Sequence, residues 1–326
     1  MKKAKKSGLW LVCIVSLLVL MGSTAFGQET KYPVKPIQVI IPFGTGGTND
    51  ISARIVDSQL QEILRVPVIH INKPGGGGVT GTAFVKEQKP DGYTILWGSG
   101  VAIEMSIVTP NCPYKVEDFI PIALVTHGYF ILTVRKDAPW NTLEDFINAA
   151  KKEPGKISVG NAGIGTSQHL VTKLLELEAK INLNSIPFKG DGPAIPALLG
   201  GHVDAVMSGI GAITPYLLSG EARGLASSGP EHHPALKHIP LFKERGLPGV
   251  SKVTWTGPVA SAGTPEPIIK ILSDAYQVAA NHPSVVVLLE KSGTIPKYLN
   301  REDGMKVMQS EYKAYYNAAK AAGLIK

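Results

Sequence analysis

Short apolar runs and helical stripes alternate along the first hundred residues of the chain. The runs IQVIIPF, VPVIHIN and YTILWGS are rich in β-branched residues and predict three strands. Between the first two runs, apolar residues recur at spacings of three and four, which predicts an amphipathic helix over TNDISARIVDSQLQEIL. Thr48 or Asn49 can cap its start. Strands that alternate with helices predict right-handed crossovers and a mostly parallel sheet.

The alternation restarts near residue 126 and continues to residue 252. The runs FIPIALVT and YFILTVRK predict strands. The stretch TLEDFINAAKKEPG predicts a helix that begins with a capping box between Thr142 and Asp145. Further strands, glycine turns and helices follow as far as the run ARGLASSG. This middle segment therefore holds a full set of alternating elements of its own.

The last part of the chain predicts one more strand, VTWTGPVASAG, followed by three helices. Thr264 can cap the first of them, with Pro265 in its first turn. Because these helices have no strands of their own to cover, we expect them to pack on the first sheet. The chain then crosses near Thr126 and returns near Val253. These crossings predict two lobes, residues 28–125 with 253–326 and residues 126–252, separated by a cleft with a hinge.

The first 27 residues have the plan of a secretory signal peptide. MKKAKK supplies four lysines, an apolar run follows, and Ala25-Phe26-Gly27 offers small residues for cleavage. The alternative is a membrane anchor, but the run is shorter than the roughly 20 residues that span a bilayer. We therefore expect residues 1–27 to be removed on export.

Charge and cysteine content narrow the function classes. The formal net charge is +7, and removal of the four leader lysines leaves about +3 without a basic run, so we expect no nucleic-acid partner. Cys112 is the one cysteine after the leader, and it predicts an inert thiol without an internal disulfide. His232, His233 and His238 could recruit a metal, but their Pro- and Gly-rich surroundings favour a solvated loop, and we expect no metal site.

Glycine and small polar residues mark four predicted turns from strand to helix. They are Gly44 to Asn49 and Gly75 to Thr80 in the first lobe, and Gly163 to Ser167 and Gly190 to Gly192 in the second. Such turns emerge at the carboxyl edge of a parallel sheet, where ligands bind. Helix N-termini attract anions, and glycine lets an anion approach them. The sequence therefore predicts an anion-binding cleft that needs no lysine or arginine.

Nucleotide and catalytic motifs carry little weight in this sequence. The run PGGGG could satisfy almost any loose glycine pattern, so it is weak support for a nucleotide site. Neither GTGGTND nor GIGTSQH has the lysine of a P-loop, and the first turn lacks the third glycine of a dinucleotide fingerprint. There is no G-x-S-x-G elbow and no H-E-x-x-H motif. We expect no cofactor. His169 can donate to a ligand or stabilise its turn, and Asp191 can cap a helix or contact a hydroxyl or ammonium group.

Several long blocks of the sequence resemble the solute receptors of tripartite tricarboxylate transporters, the Bug family. They include YPVKPIQVIIPFGTGGTNDISARIV, INKPGGGGVTG, GNAGIGTSQHL and IPFKGDGPAIPALLGGHVDAV. The resemblance implies an α/β fold, a two-lobed periplasmic binding protein of the type II kind, with two mostly parallel sheets, flanking helices and a ligand cleft. It implies a periplasmic monomer that delivers a small organic acid to membrane transporter subunits. That acid would be a di- or tricarboxylate, an acidic amino acid or an aromatic acid.

The resemblance also implies where a ligand binds. The first two glycine loops would hold one carboxylate through backbone amides and bridging waters, and lobe two would select the remainder of the ligand. The implied ligand-binding residues are Phe43, Thr45, Gly46, Gly47, Thr48, Gly75, Gly76, Gly77, Gly78, Val79, Ser99, Thr166, Ser167, His169 and Asp191. Gly44-Thr45 departs from the proline or alanine common in this family, and MSGIGA departs from a bulkier pattern, so the ligand's identity stays open.

Two alternative functions follow from the sequence. An exported hydrolase would use His169 with Ser167 or Thr166, but these residues lie within one helical turn and no orienting acid is evident. An exported accessory of a membrane sensor kinase would use the same closed form of the lobes. Binding without catalysis remains the favoured prediction, because no nucleophile and base are placed to react.

Overall fold

A computed structural model describes residues 31–326, apart from the side chain of Ser99. The predicted signal peptide, residues 1–27, lies outside the described residues. Residues 33–326 form one unit. Its strands are β1 (Ile37–Ile41), β2 (Val68–Asn72), β3 (Thr94–Trp97), β4 (Phe119–Pro121), β5 (Leu124–Gly128), β6 (Phe130–Arg135), β7 (Ser158–Asn161), β8 (Asn184–Pro187), β9 (Ala205–Gly209), β10 (Ala222–Ser227), β11 (Thr254–Thr256), β12 (Pro258–Ser261) and β13 (Ile295–Leu299).

Helices cover the sheets and lie between the strands in the chain. They are α1 (Thr48–Leu64), α2 (Val79–Glu87), α3 (Ser99–Val108), α4 (Leu143–Lys152), α5 (Ser167–Ala179), α6 (Asp191–Leu199), α7 (Ile210–Leu218), α8 (Glu266–Ala280), α9 (Pro283–Lys291) and α10 (Arg301–Ala321).

The first sheet has the strand order β2-β1-β3-β12-β4 and, with its helices, forms lobe one. Strand β1 runs parallel to β2 and β3, whereas β12 runs antiparallel to β3 and β4. Helix α8 packs along α1, and α9 packs beside them. The predicted return of the C-terminal helices to this lobe is therefore present for α8 and α9.

The second sheet has the strand order β10-β6-β9-β7-β8 and, with its helices, forms lobe two. Leu132 and Val134 of β6 enter one apolar core, and Ile131 enters another. Because successive side chains of a strand point to opposite faces, this sheet is buried on both sides. Its strands therefore appear in the sequence as continuous apolar runs.

Each of the two large sheets combines two parallel with two antiparallel pairings. The parallel part is the predicted strand–helix–strand alternation. The antiparallel strands include β6, which brings the chain into lobe two, and β12, which brings it back to lobe one. In each lobe, the strand by which the chain enters from the other lobe therefore runs antiparallel to its neighbours in the sheet.

A third, small sheet joins the lobes, with the order β11-β5-β13. Strand β5 leads into β6 of lobe two, and β11 leads into β12 of lobe one. Thr126 pairs with Thr256, and Gly128 pairs with Thr254. The two interlobe segments therefore lie side by side as antiparallel strands, so they share backbone hydrogen bonds where the lobes meet.

The last helix, α10, touches both lobes. Gly304 near its start lies against Leu124, whereas Tyr315 and Ala319 are buried in a core of lobe two. The expectation that all three C-terminal helices pack on the first sheet is therefore incomplete for α10. Its second half binds lobe two because apolar residues recur on the face that meets that lobe.

At the end of the chain one strand prediction is wrong, and one further strand was missed. VTWTGPVASAG forms β11 and β12 in different sheets, because the chain passes Ala123 at Gly257 where a side chain would overlap the Ala123 carbonyl. Strand β13, Ile295–Leu299, was not predicted. Its proline and lysine conceal the alternation of a strand, and its pairing with β5 shifts register between Pro296 and Leu299.

Helix capping follows the prediction at one helix start and departs from it at two. In α4, the Asp145 N–H donates to Thr142 Oγ1 at 3.1 Å and completes the predicted capping box. Helix α1 instead begins after Gly47, without a cap from Thr48 or Asn49. Pro265 is the N-cap residue of α8, and no side chain caps this helix start; the Thr264 hydroxyl donates to the Ser261 carbonyl at 2.8 Å.

Candidate ligand-binding cleft

A cavity lies between the two lobes, with the third sheet at its side. Its volume is about 60 Å³, which is room for a few water molecules. Thr48 and Asp191, and likewise Ser167 and Glu104, are hydrogen-bonded across the lobes, and we call this arrangement the closed form. The lining residues are Phe43, Thr48, Asn49, Gly98, Gly100, Val101, Glu104, Thr126, His127, Gly128, Tyr129, Phe130, Ser167, Gln168, Asp191, Gly209, Ile210, Thr254, Trp255, Thr256 and Thr294.

Five helix N-termini, from both lobes, converge on this cavity. Helices α1 and α3 belong to lobe one, and α5, α6 and α7 belong to lobe two. An N-terminus presents unpaired N–H groups and about half a positive charge. Among the described residues that line the cavity there is no lysine or arginine. The backbone is therefore the main source of positive potential at the cavity wall.

Four of these five helices begin directly after a glycine. These residues are Gly47, Gly98, Gly190 and Gly209. Glycine has no side chain that could accept a hydrogen bond from the first-turn N–H groups. The N–H groups at these helix starts consequently depend on distant side chains, water or a bound ligand.

Asp191 lies at the start of α6 and is buried. Its carboxylate accepts hydrogen bonds from Gln168 Nε2 at 3.2 Å and from Thr48 Oγ1 at 3.4 Å. Burial raises the pKa of Asp191, and the hydrogen bonds from Gln168, Gly209 and Thr48 oppose that rise. Asp191 therefore links lobe two to the start of α1 in lobe one.

Glu104 projects from α3 of lobe one to the start of α5 in lobe two. Its Oε2 accepts the Ser167 N–H at 3.1 Å, and its Oε1 accepts the Ser167 hydroxyl. Burial raises the pKa of Glu104 to about 7, although Lys252 and the Ser167 hydrogen bonds favour the charged form. The protein's own carboxylate thus occupies the N-terminus of α5.

Charged groups behind Glu104 come from two other segments. The Lys252 ammonium pairs with Glu311 of α10, and Lys252 also lies 5.9 Å from the Tyr315 ring centroid. Lys252 favours the ionised form of Glu104, whereas Glu311 disfavours it. Because Lys252 is shared between two acids, its positive charge offsets the charge of Glu104 incompletely.

The third sheet contributes an aromatic side of the cavity. The rings of His127 and Trp255 lie 5.3 Å apart between centroids, at an angle of 30°. Burial lowers the pKa of His127, and the charge of Lys297 lowers it further. His127 is therefore a neutral ring at pH 7 and adds little positive charge to the site.

The first and fourth glycine turns contact one another across the lobes. The Gly44 N–H donates to the Lys189 carbonyl at 2.7 Å. A Cβ at Gly192 would overlap the carbonyl of Thr45. The absence of a side chain at Gly192 therefore permits two backbones to meet in the closed form.

The second and third glycine turns form a matching contact. A Cβ placed on Gly163 would lie 2.9 Å from the Gly77 Cα, and one on Gly77 would lie 2.8 Å from the Ile164 carbonyl oxygen. Gly77 also has a φ of 65°, which favours glycine. Gly76 and Gly77 border a separate, mostly apolar cavity with Met105. In the closed form these two turns approach each other.

The structure divides the predicted ligand-binding residues into two groups. Phe43, Thr48, Ser167 and Asp191 line the interlobe cavity. Ser99 begins α3 at the cavity edge, but its side chain lies outside the described residues. The remaining predicted residues lie in or beside the glycine turns without lining this cavity: Thr45, Gly46, Gly47, Gly75, Gly76, Gly77, Gly78, Val79, Thr166 and His169.

Thr166 and His169 support the third glycine turn from within. The Thr166 hydroxyl donates to the Gly163 carbonyl at 2.8 Å, and His169 Nδ1 accepts the Gly165 N–H at 3.2 Å. Burial lowers the pKa of His169, and Lys173 lowers it further, so the ring is neutral at pH 7. In the closed form both side chains hold the backbone of this turn.

Glu104, Gln168 and the strand residues of the third sheet were not predicted as site residues. Glu104 is the one acid in the otherwise apolar helix SGVAIEMSIV, and that isolation was the available signal. The residues of the third sheet could have been predicted from the topology, because the segments that connect two lobes border the cleft between them.

The histidine loop and Cys112 take part in local packing. His232 Nε2 lies 2.8 Å from Glu244 Oε1, and its Nδ1 lies 3.1 Å from the Ile239 carbonyl oxygen. Within residues 31–326, no group of three or more His, Cys, Asp or Glu side chains could hold a metal ion. Cys112 is half-buried against the core of lobe one.

No helix within residues 31–326 is long and apolar enough to span a membrane.

The family model for the tripartite tricarboxylate transporter family receptor matches residues 52–324. Protein BugT of Bordetella pertussis is 33% identical to this chain over 294 residues, which cover 88% of this chain and 89% of BugT.

Two solved structures share the fold over nearly the whole described chain. The periplasmic binding protein BugD is 31% identical, with a TM-score of 0.85 over 90% of this chain and 99% of BugD. MatC from Rhodopseudomonas palustris, with bound malate, is 29% identical, with a TM-score of 0.83 over 88% of this chain and 99% of MatC. Both likenesses support the two-lobed α/β fold.

Proposed function

We propose, from the premise that this chain belongs to the tripartite tricarboxylate transporter receptor family, that it captures a small organic carboxylate between its lobes and delivers it to a membrane transporter. The family consists of solute-binding proteins, and MatC, whose structure is similar to that of this chain, holds malate. The anionic solute would enter the open cleft, bind to helix N-termini and be enclosed when the lobes approach.

The observation that carries this proposal is the convergence of five helix starts on one cavity without a lining lysine or arginine. A hydrogen bond between an amide and a charged group contributes about 1.5–3 kcal/mol. A few such bonds, less the cost of closing the lobes, support roughly micromolar binding, which corresponds to about 8 kcal/mol. A carboxylate is thus the ligand group best matched to these N–H groups.

We propose that the two interlobe segments act as the hinge. On this proposal lobe one comprises residues 28–125 and 253–326, and lobe two comprises residues 126–252. The paired strands β5 and β11 would bend together, because they are hydrogen-bonded side by side. The contact of α10 with both lobes would limit how far they open.

We further propose that the protein is exported, loses residues 1–27 by cleavage after Gly27, and works in the periplasm as a monomer. Family membership and the relation to periplasmic BugD support the location. Mass spectrometry of the protein purified from periplasm would give a mature N-terminus at Gln28. An uncut chain in the membrane fraction would contradict this part of the proposal.

Binding without a chemical reaction fits the polar contacts in the cleft. The Ser167 hydroxyl donates to Glu104, and His169 Nδ1 accepts the Gly165 N–H. The two side chains of the alternative hydrolase hypothesis are therefore engaged with other groups rather than with each other. Incubation with each bound acid, followed by chromatography, should return the acid unchanged.

The direct test is calorimetry with a panel of organic acids and their amides. We expect acids to bind and amides of the same shape to bind at least tenfold more weakly. In the Asn49→Asp variant, the new carboxylate can still accept the 2.8 Å hydrogen bond from the Thr256 hydroxyl, but its charge lies at the start of α1. Acid affinity should fall at least tenfold, which is about 1.4 kcal/mol.

The control for this variant is Asn141→Asp, the same change at an exposed position before α4. It should leave acid affinity unchanged. Equal binding of acids and amides by the wild type, or an unchanged acid affinity in Asn49→Asp, would contradict the proposed function.

A further inference from the structure

We propose that Glu104, together with Asp191, limits the cleft to ligands with a single carboxylate, and that Glu104 is the residue that excludes dicarboxylates. This inference rests on the proposed function and names its ligand class. It distinguishes the chain from its relative MatC, which holds the dicarboxylate malate.

The first step is the balance of charge at the cavity. Five helix N-termini contribute roughly half a positive charge each, or about two and a half in all. Two protein carboxylates, Glu104 of lobe one and Asp191 of lobe two, also line this cavity. When both are ionised, about half a positive charge remains, which offsets part of the charge of one ligand carboxylate and leaves a second one without compensation.

The second step is that each protein carboxylate already uses a helix start. Glu104 accepts both the N–H and the hydroxyl of Ser167 at the start of α5. Asp191 begins α6 and accepts a hydrogen bond from Thr48 at the start of α1. A ligand carboxylate therefore competes with the protein's own acids for the N–H and hydroxyl donors at these helix starts.

The third step concerns what faces Glu104. The charged and titratable groups around it are Lys252, Glu311, Tyr114 and Tyr315. Lys252 is paired with Glu311. No free cation among these groups could compensate a second ligand carboxylate beside Glu104. A like charge in a buried site is costly, because the surrounding dielectric screens it weakly. A methyl, hydroxyl or ammonium end of a ligand avoids that cost.

The test uses acids that differ at one end only. Calorimetry at pH 8 would compare succinate with butanoate, 4-hydroxybutanoate and 4-aminobutanoate, and would repeat the series with five and six carbons. We expect the best monocarboxylate of the fitting length to bind at least tenfold more tightly than the dicarboxylate. In Glu104→Gln this ratio should fall at least tenfold, because the amide carries no charge and can still accept from Ser167.

Two comparisons separate the charge of Glu104 from indirect effects. The control Glu290→Gln changes an exposed glutamate of α9 in the same way and should leave the ratio unchanged. For the wild type, the ratio should be smaller at pH 6.5 than at pH 8, because Glu104, with a pKa of about 7, is largely protonated at pH 6.5 while the dicarboxylates still carry both charges. Circular dichroism of each variant would establish that it is folded.

The outcomes distinguish this inference from the proposed function. Tighter binding of the dicarboxylates by the wild type, or the same ratio in Glu104→Gln as in the wild type, would overturn the inference and leave carboxylate capture intact. If no acid of either kind binds, the proposed function fails and the inference fails with it. If Glu104→Gln does not fold, the wild-type ratio and its pH dependence decide.

Discussion

The paired glycine turns and the interlobe cavity bring the same two lobes together by different means. At the turns, backbone meets backbone, as where Gly192 passes the Thr45 carbonyl and Gly163 passes Gly77. At the cavity, side chains such as Glu104 and Asp191 reach across to helix starts. Glycine thus permits closure, whereas the buried acids determine what the closed cavity can hold.

The largest effect is expected for Gly192→Ala, which blocks the backbone contact between the first and fourth glycine turns. Its Cβ would overlap the Thr45 carbonyl in the closed form, so the lobes could not close fully around a ligand. Ligand affinity should fall about a hundredfold, which is about 3 kcal/mol, and small-angle scattering should show a larger radius of gyration with ligand present.

The matched change for this prediction is Gly304→Ala, in α10, where the nearest heavy atom to a new Cβ is Leu124 Cγ at 3.4 Å. It should leave affinity unchanged and stabilise the helix by up to about 1 kcal/mol. Normal affinity in Gly192→Ala would show that closure does not need this backbone contact.

The next effect is the pH dependence of stability at Glu104. Its pKa rises from an ordinary 4.5 to about 7 in the folded protein, so the folded state retains a proton that the unfolded chain releases. The stabilising contribution is complete below pH 4.5 and is lost as the pH rises through 7. Between pH 5 and pH 8 the wild type should lose roughly 2 kcal/mol more unfolding free energy than Glu104→Gln.

Urea unfolding at several pH values measures this difference, with Glu290→Gln as the reference for surface titration. The same slope in the wild type and in Glu104→Gln would mean that Glu104 titrates normally. A normal pKa would mean that Glu104 is not buried at the cavity, and the proposal that its buried charge selects the ligand would then fail.

The smallest effect concerns the link between the last helix and the third glycine turn. The Tyr315 hydroxyl donates to the Gly165 carbonyl, so Tyr315→Phe removes a buried hydrogen bond and keeps the ring. We expect a loss of about 1 kcal/mol in unfolding free energy and a fall of two- to threefold in ligand affinity. A stability loss with unchanged affinity would place α10 outside the closing movement.

Much of the fold was readable from local patterns, because helix and strand periodicities are set by residues close in sequence. The capping box at Thr142 and the strand–turn–helix units of lobe two show this. Strand β13 was not readable, since Pro296 and Lys297 lie in a strand that exists through its pairing with β5. Gly257 splits the predicted strand because of a long-range approach to Ala123.

The site was less readable than the fold for a physical reason. Glycine clusters mark places where backbones come close, but the sequence does not state whether the partner is a ligand or the other lobe. Glu104 is adjacent to Ser167 only after two lobes close, across 63 residues of chain. The family resemblance implied Phe43, Thr48, Ser167 and Asp191, and in the structure these four residues line the interlobe cavity.

A crystal structure of the protein with a bound acid tests the central claim most directly. The account predicts a ligand carboxylate oxygen about 3 Å from backbone N–H groups at the helix starts around the cavity, without a lysine or arginine beside it. A carboxylate held by a lysine or arginine side chain, or bound outside the interlobe cavity, would contradict it.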